Sequence, residues 1–259
     1  MKRRDLLAGS TLALGSGLLP PVLRHAGAAP AGRPKLPPPL KETMRHSDKA
    51  RSGIALGGLG TGGGELRKDG RFHHWTIFNN APRGTGGSAP AQPDNVVFFT
   101  VRYEVPGQEP RLKLLQIEEG HVVSTIETHI YEFPWLSGVD SATYEGRFPF
   151  VDMGFADPEM PVDVKMEAHA FFIPHDLKSS TLPAIVFNFT VTNKTNKPVD
   201  VMLIGTGRNC VGYDHKEKLW TARIEEGPGF KLVEGSASNL PDKHGTAGTM
   251  ALASMSPET

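Results

Sequence analysis

Hydrophobic and polar positions alternate most regularly between Val162 and Phe172. Val162, Val164, Met166, Ala168 and Ala170 fall on one side of an extended chain, and Asp163, Lys165, Glu167 and His169 fall on the other. A period of two with one dry and one wet face predicts a half-buried β-strand. Ala184 to Thr192 (AIVFNFTVT) and Val199 to Gly205 (VDVMLIG) follow, joined by the turn-rich stretch from Asn193 to Pro198. Short connections between these three segments predict an antiparallel meander.

The same reading extends to both sides. Gly53 to Gly64 is apolar and glycine-rich, and Glu65 to Arg71 contains the hairpin pair Asp69-Gly70. Phe72 to Asn80, Asn95 to Val105, Arg111 to Glu118, Ala142 to Phe155 and Gly248 to Met255 read as further strands, with a Pro/Gly/Ser loop from Ala81 to Asp94. One short helix is expected, from His46 to Ser52. Frequent strands with turn signals between them predict an all-β fold, an antiparallel β-sandwich.

Composition supports this. The 259 residues include 29 Gly and 22 Pro, which leaves few stretches able to hold a long helix. The first residues belong to a separate function. Lys2, Arg3 and Arg4 precede an apolar run from Leu6 to Leu19, and Ala26-Gly27-Ala28 has the form of a cleavage site. The Arg3-Arg4 pair predicts a twin-arginine signal over residues 1–28, and hence export to the periplasm or beyond. Residues 29–52, with Pro30, Pro34, Pro37, Pro38 and Pro39, read as a proline-rich linker. Removing the signal takes four basic residues (Lys2, Arg3, Arg4, Arg24) against one acid (Asp5) from a chain of zero formal charge. The slightly acidic remainder argues against nucleic acid as a partner. Nothing after the signal reaches the length of a membrane span. Cys210 is the lone cysteine, which excludes an intrachain disulfide and a cysteine zinc cluster. Only Ser256 to Thr259 follow the last strand, so the chain is expected to be interrupted within a larger protein.

Candidate chemistry is sparse. Gly58-Leu59-Gly60-Thr61-Gly62-Gly63 satisfies G-x-G-x-x-G, but a dinucleotide site needs a helix to begin there. The residues that follow predict a hairpin. The glycines therefore read as places where the backbone bends or another segment approaches closely. No G-K-[ST] and no G-x-S-x-G occurs. Glycoside hydrolysis needs two facing carboxylates, and no pair stands out. Asp163 and Glu167 lie on a wet strand face, and Asp69 serves its own turn. His73 and His74 are expected on opposite faces of a strand, which argues against a shared metal; no metal or cofactor is expected. Asn188-Phe189-Thr190 and Asn193-Lys194-Thr195 match the glycosylation sequon by chance. Trp75, Tyr131, Trp135 and Trp220 could stack on sugar faces. Trp75 is expected in the core because it sits within a strand, whereas Trp135 fits either role.

Two stretches resemble a known family. The first runs from Gly53 to Gly62 (GIALGGLGTG), through Glu65 to Phe72 (ELRKDGRF), to Trp75 to Asn80 (WTIFNN). The second comprises Arg147 to Phe150 (RFPF), Asp157 to Val162 (DPEMPV), Ala168 to Pro174, and Ser180 to Asn193. Order and spacing are similar to the N-terminal domain of glycoside hydrolase family 116, which includes β-glucosidases and non-lysosomal glucosylceramidases. The resemblance covers about residues 50–210. It implies a β-sandwich for residues 53–259. It also implies a second domain, an (α/α)6 barrel in the same or a separate chain, that carries the acid and nucleophile of a retaining mechanism on a β-glucoside or glucosylceramide. That barrel is not in this sequence, so no catalytic residue carries over and the chain alone is expected to be inactive. Gly58, Gly60, Thr61, Gly62, Glu65, Trp75, Asn79 and Asn80 match the family's N-terminal motif and, with Trp135, are expected near the barrel interface or the substrate. The alternative is a free-standing sandwich that binds carbohydrate without cutting it, or a purely structural module.

Overall fold

The computed structural model describes residues 40–45, 52–77, 96–117 and 136–256. Fifteen strands and one helical turn occur among them: β1 (Leu40–Arg45), β2 (Gly53–Gly58), β3 (Gly62–Arg67), β4 (Phe72–His73), β5 (Val97–Glu104), β6 (Arg111–Leu114), β7 (Ser137–Gly138), β8 (Ser141–Arg147), β9 (Phe150–Ala156), β10 (Val162–Ala170), α1 (Leu177–Ser180), β11 (Ile185–Asn193), β12 (Asp200–Gly207), β13 (Leu219–Gly227), β14 (Phe230–Ser238) and β15 (Thr249–Ser254). The fold is an all-β sandwich, as expected. Its sheets run β1-β8-β9-β10-β11, β12-β5-β6-β7, β13-β14-β15 and β2-β3-β4.

The alternation in β10 is realised as read: Val162, Val164, Met166, Ala168 and Ala170 are buried, with Val151, Met153 and Phe155 of β9 beside them. Facing them in one core are Val101 and Tyr103 of β5 and Val139. Phe99 of β5 meets Phe187 and Phe189 of β11, each with ring centroids 4.8 Å away. Each fully buried Val, Leu or Phe contributes roughly 1.5–3 kcal/mol, so the two inner faces hold the sheets together. Leu56, Leu66 and Phe72 add the β2-β3-β4 sheet to this core. Tyr144 of β8 fastens it, since its hydroxyl donates to Leu66 O and accepts from Ile54 N, both at 3.1 Å.

Several expected elements differ. β10 and β11 pair antiparallel over nine residues, but β12 pairs with β5 in another sheet, so the three are not one meander. The turn between them is closed locally, with Asn193 Oδ1 accepting from Thr195 N and its Nδ2 donating to Lys197 O, and β12 then finds its partner in β5. The glycine-rich stretch forms the β2–β3 hairpin, and its two strands meet at their glycines. Ala142 to Phe155 is likewise two strands, reversed at Arg147 to Phe150 across a cis Phe148–Pro149 peptide. Where Phe72 to Asn80 was expected as a strand, Phe72 and His73 alone form one among the described residues up to Ile77, because His74 adopts φ 52° and turns the chain; residues 78–80 lie outside the described residues. β1 lies in the segment read as linker, and β13 and β14 were not expected; neither β13 nor β14 has a fully buried position, so no dry face marks them. The helix expected at His46 to Ser52 falls almost wholly outside the described residues, while α1 forms instead, capped by Asp176 accepting from Ser179 N.

The chain divides into two compact units. The larger comprises Pro39–Glu225 and Leu232–Leu252 and contains all the packing above. The described part of the smaller includes Glu226–Lys231, a hairpin tip with Gly229 at φ 80° and a Lys231–Glu226 ion pair at 3.7 Å.

Candidate functional site

The β2–β3 hairpin is narrow because its facing residues are glycines: Gly57 opposes Gly63 and Gly58 opposes Gly62. Leu59, Gly60 and Thr61 form the tip, and Gly60 takes φ 72°, which a side chain resists. The tip is tied to the chain after α1. Leu59 N donates to Ser180 O at 2.7 Å, and Thr61 Oγ1 donates to Thr181 O at 2.8 Å. A Cβ on Gly58 would lie 2.7 and 2.8 Å from Leu182 O and Thr181 O, and one on Gly62 would lie 3.0 Å from Ile77 Cα. The glycines therefore permit close approach of backbone to backbone. A strand, not a helix, follows them, so there is no helix N-terminus for a pyrophosphate.

Around this tip the surface is apolar. Leu59 is 54 % exposed, and Leu177 of α1, Phe172, Phe148 and Phe150 are exposed as well. They form one rim. Ser180, which receives Leu59 N, also accepts from Ile173 N and donates to Ile173 O. Phe172 meets Phe148 with ring centroids 5.3 Å apart, and Ala170 N donates to Pro149 O. Exposed large apolar side chains on joined segments mark a candidate contact surface. Periodicity missed them because they stand in turns and strand ends; the Phe-Pro-Phe triplet from Phe148 to Phe150 was the available signal.

The polar groups nearby are engaged structurally. Glu65 accepts from Gly53 N at 2.6 Å and from Arg67 Nε and Nη2, both at 3.1 Å. Partial burial pushes its carboxyl up, but the Arg67 hydrogen bond and charge and the Gly53 N–H outweigh this and hold it below the usual glutamate range. Asp69 is buried and accepts from Arg71 N, serving its turn as expected, and its other oxygen meets His73 Nε2 at 2.8 Å. His74 Nε2 lies 4.0 Å from Glu65 Oε2. The two histidines thus address different carboxylates. Asp157 is buried beside Lys113 Nζ at 3.0 Å and accepts from Glu159 N. Among the described residues no three His, Cys, Asp or Glu side chains are placed to hold a metal, and no helix is long and apolar enough to cross a membrane.

Trp75 is 7 % exposed, packed on Phe72 with centroids 5.0 Å apart, and Gly64 gives its ring room. It lies after β4 rather than within a strand, in the core all the same. Asn79, Asn80 and Trp135 lie outside the described residues, as does Tyr131. Trp220 is 50 % exposed, with Nε1 donating to Val211 O at 2.6 Å and Lys218 Nζ 4.8 Å from its ring centre. Near it in sequence, Thr246 Oγ1 donates to Asp214 Oδ1 at 2.6 Å and meets His244 Nδ1 at 2.9 Å, a cluster no sequence motif signalled. The Thr246 hydroxyl holds the Asp214 carboxyl below its ordinary range.

A family model described as beta-glucosidase 2, glycosyl-hydrolase family 116 N-term, matches residues 53–259. The match extends beyond the resemblance over about residues 50–210 and takes in β13, β14 and β15. No curated protein matches the chain.

Proposed function

The chain belongs to the family of glycosyl-hydrolase family 116 N-terminal domains, and from that premise we propose that it is the β-sandwich half of an exported β-glucosidase or glucosylceramidase. On this reading the catalytic acid and nucleophile stand on an (α/α)6 barrel in the same or a separate polypeptide. The apolar rim around the β2–β3 tip is the observation that carries it. Leu59, Phe148, Phe150, Phe172 and Leu177 are each exposed, and Leu59 N and Thr61 Oγ1 tie the hairpin tip to Ser180 and Thr181. A barrel seated on this rim would bury them. Three carboxylates among the described residues are consistent with this: Glu65, Asp69 and Asp157 each bind a cation or histidine and a backbone N–H, so all three are engaged within the sandwich.

The test is association with a family 116 helical domain supplied as a separate chain. The reading expects binding that Phe172→Asp and Leu59→Asp each weaken about tenfold or more by burying a charge. Binding unchanged by either substitution would remove the rim from the interface. Export through the twin-arginine route belongs to the same proposal; changing Arg3 and Arg4 together to Lys should retain the protein in the cytoplasm, and undiminished export would count against it.

Trp220 favours a second reading, a module that binds carbohydrate without cutting it. Its ring is half exposed and pinned by the Nε1 bond to Val211 O, a preorganised platform for a sugar face. Quenching of its fluorescence by β-linked glucose oligomers, absent in Trp220→Ala, would establish that role.

A further inference from the structure

The five-stranded sheet has two edges, and they differ. β1, at one edge, is LKETMR, with charges at Lys41, Glu42 and Arg45. Charge on an edge strand discourages pairing with another chain. β11, at the other edge, is IVFNFTVTN: nine residues with no charge, no Pro and no Gly. β10 pairs with all nine on one side, and among the described residues no strand pairs with the other side. The nearest lysine does not guard this edge, because Lys194 Nζ turns back to Asp163 Oδ1 at 3.2 Å. Val191 is 38 % exposed, though it lies on the same strand face as Phe187 and Phe189, which pack on the core.

We infer that β11 pairs antiparallel with β11 of a second copy of this chain, joining two five-stranded sheets into one across a two-fold axis. The alternation of the strand restricts the register. A shift by one residue would set inward positions against outward ones, so the axis must pass through a residue, and pairing all nine places it at Phe189. Phe189 then opposes its own symmetry mate, and Val191 of each copy covers Phe187 of the other, removing the exposed valine from water. On the outer face Asn188 opposes Thr190 of the second copy, a pair able to hydrogen-bond across strands.

Charge agrees with this register. Within one copy Lys165 pairs with Thr190, and Glu167 pairs with Asn188. Across the axis the two outer rows beside it therefore read Lys165, Thr190, Asn188, Glu167, and the two beyond read Asp163, Thr192, Val186, His169, with the last two residues of each from the second copy. Each row beside the axis carries one cation and one anion, and no like charges face each other. An isologous contact of this kind closes on itself and gives a dimer rather than a fibre.

Analytical ultracentrifugation of the full chain, with Val191→Lys alongside, tests this. The expected result is a concentration-dependent dimer whose dissociation constant rises at least about tenfold in Val191→Lys, with an unchanged melting temperature at concentrations where both proteins are monomeric, because a lysine there reaches water in the monomer. The double substitution Asn188→Cys with Thr190→Cys should give a disulfide-linked dimer under oxidation. A monomer at all concentrations, with no cross-linking, overturns the proposal, as does a dimer that Val191→Lys leaves unchanged. Either result would leave the edge to some other strand.

Discussion

Thr61 Oγ1 donates to the carbonyl oxygen of Thr181 at 2.8 Å, across a sequence separation of 120 residues. With the Leu59 N–Ser180 O bond it clamps the tip of the glycine hairpin to the segment that leads into β11. Gly58 makes the clamp possible, because any Cβ there would drive into the carbonyls of Thr181 and Leu182. Gly58→Ala is expected to destabilise the domain by about 1–3 kcal/mol through overpacking. Thr61→Val should cost less, roughly 0.5–1.5 kcal/mol for one exposed hydrogen bond. Thermal melts check the order: Gly58→Ala should melt several degrees below Thr61→Val.

Glu65 gives a pH dependence with a defined sign. Its carboxyl is held below the ordinary glutamate range in the folded chain. A folded-state value below the unfolded one stabilises the fold fully above the unfolded value, and that contribution is lost as pH falls through the folded value. Wild-type stability should therefore fall on acidification in part through Glu65. Glu65→Gln should be less stable at neutral pH and show a shallower loss below about pH 4.3. Urea melts at neutral and acidic pH measure this, and parallel losses in the two proteins would refute the assignment.

Much of this structure was legible before it was seen, and the exceptions have physical causes. The β10 period showed both strand and buried face, because one side of that strand is dry and the other wet. The fate of β12 was not legible, since a turn from Asn193 to Pro198 can return a chain along its own sheet or carry it over to the next. Pairing of β12 with β5, about a hundred residues earlier, settles the matter, and so distant a partner leaves no mark in local periodicity. β13 evaded detection because water reaches most of it, so Arg223 and Glu225 stand where a buried strand would hold apolar residues. At the candidate site the glycine cluster was read correctly as backbone accommodation, and Asp69 as a turn residue. The apolar rim went unread because its members come from four separate segments that only the fold unites.

Cys210 serves as a reporter of folding. It is buried, and burial pushes its thiol up to about 11. Since the thiolate is the reactive form, the native chain should alkylate at a small fraction of the rate of a free thiol at neutral pH. Unfolding in urea should restore full reactivity. Rapid labelling of the native chain would contradict the placement of Cys210 in the core.

Trp75 and Trp220 should separate clearly in mutagenesis. Trp75→Ala removes a buried ring packed on Phe72 and is expected to cost about 3–5 kcal/mol. Trp220→Ala removes a half-exposed ring and one hydrogen bond, and should cost about 1 kcal/mol. Chemical denaturation measures both, and acrylamide should quench Trp220 much more than Trp75.

The central claim is that this sandwich depends on a helical domain for chemistry, and turnover of an aryl β-glucoside by the purified chain tests it most directly. The account predicts none from this chain alone, and turnover when a family 116 helical domain binds it. Hydrolysis by the chain alone that vanishes on changing one of its own carboxylates, Glu65 or Asp157 for example, would contradict it.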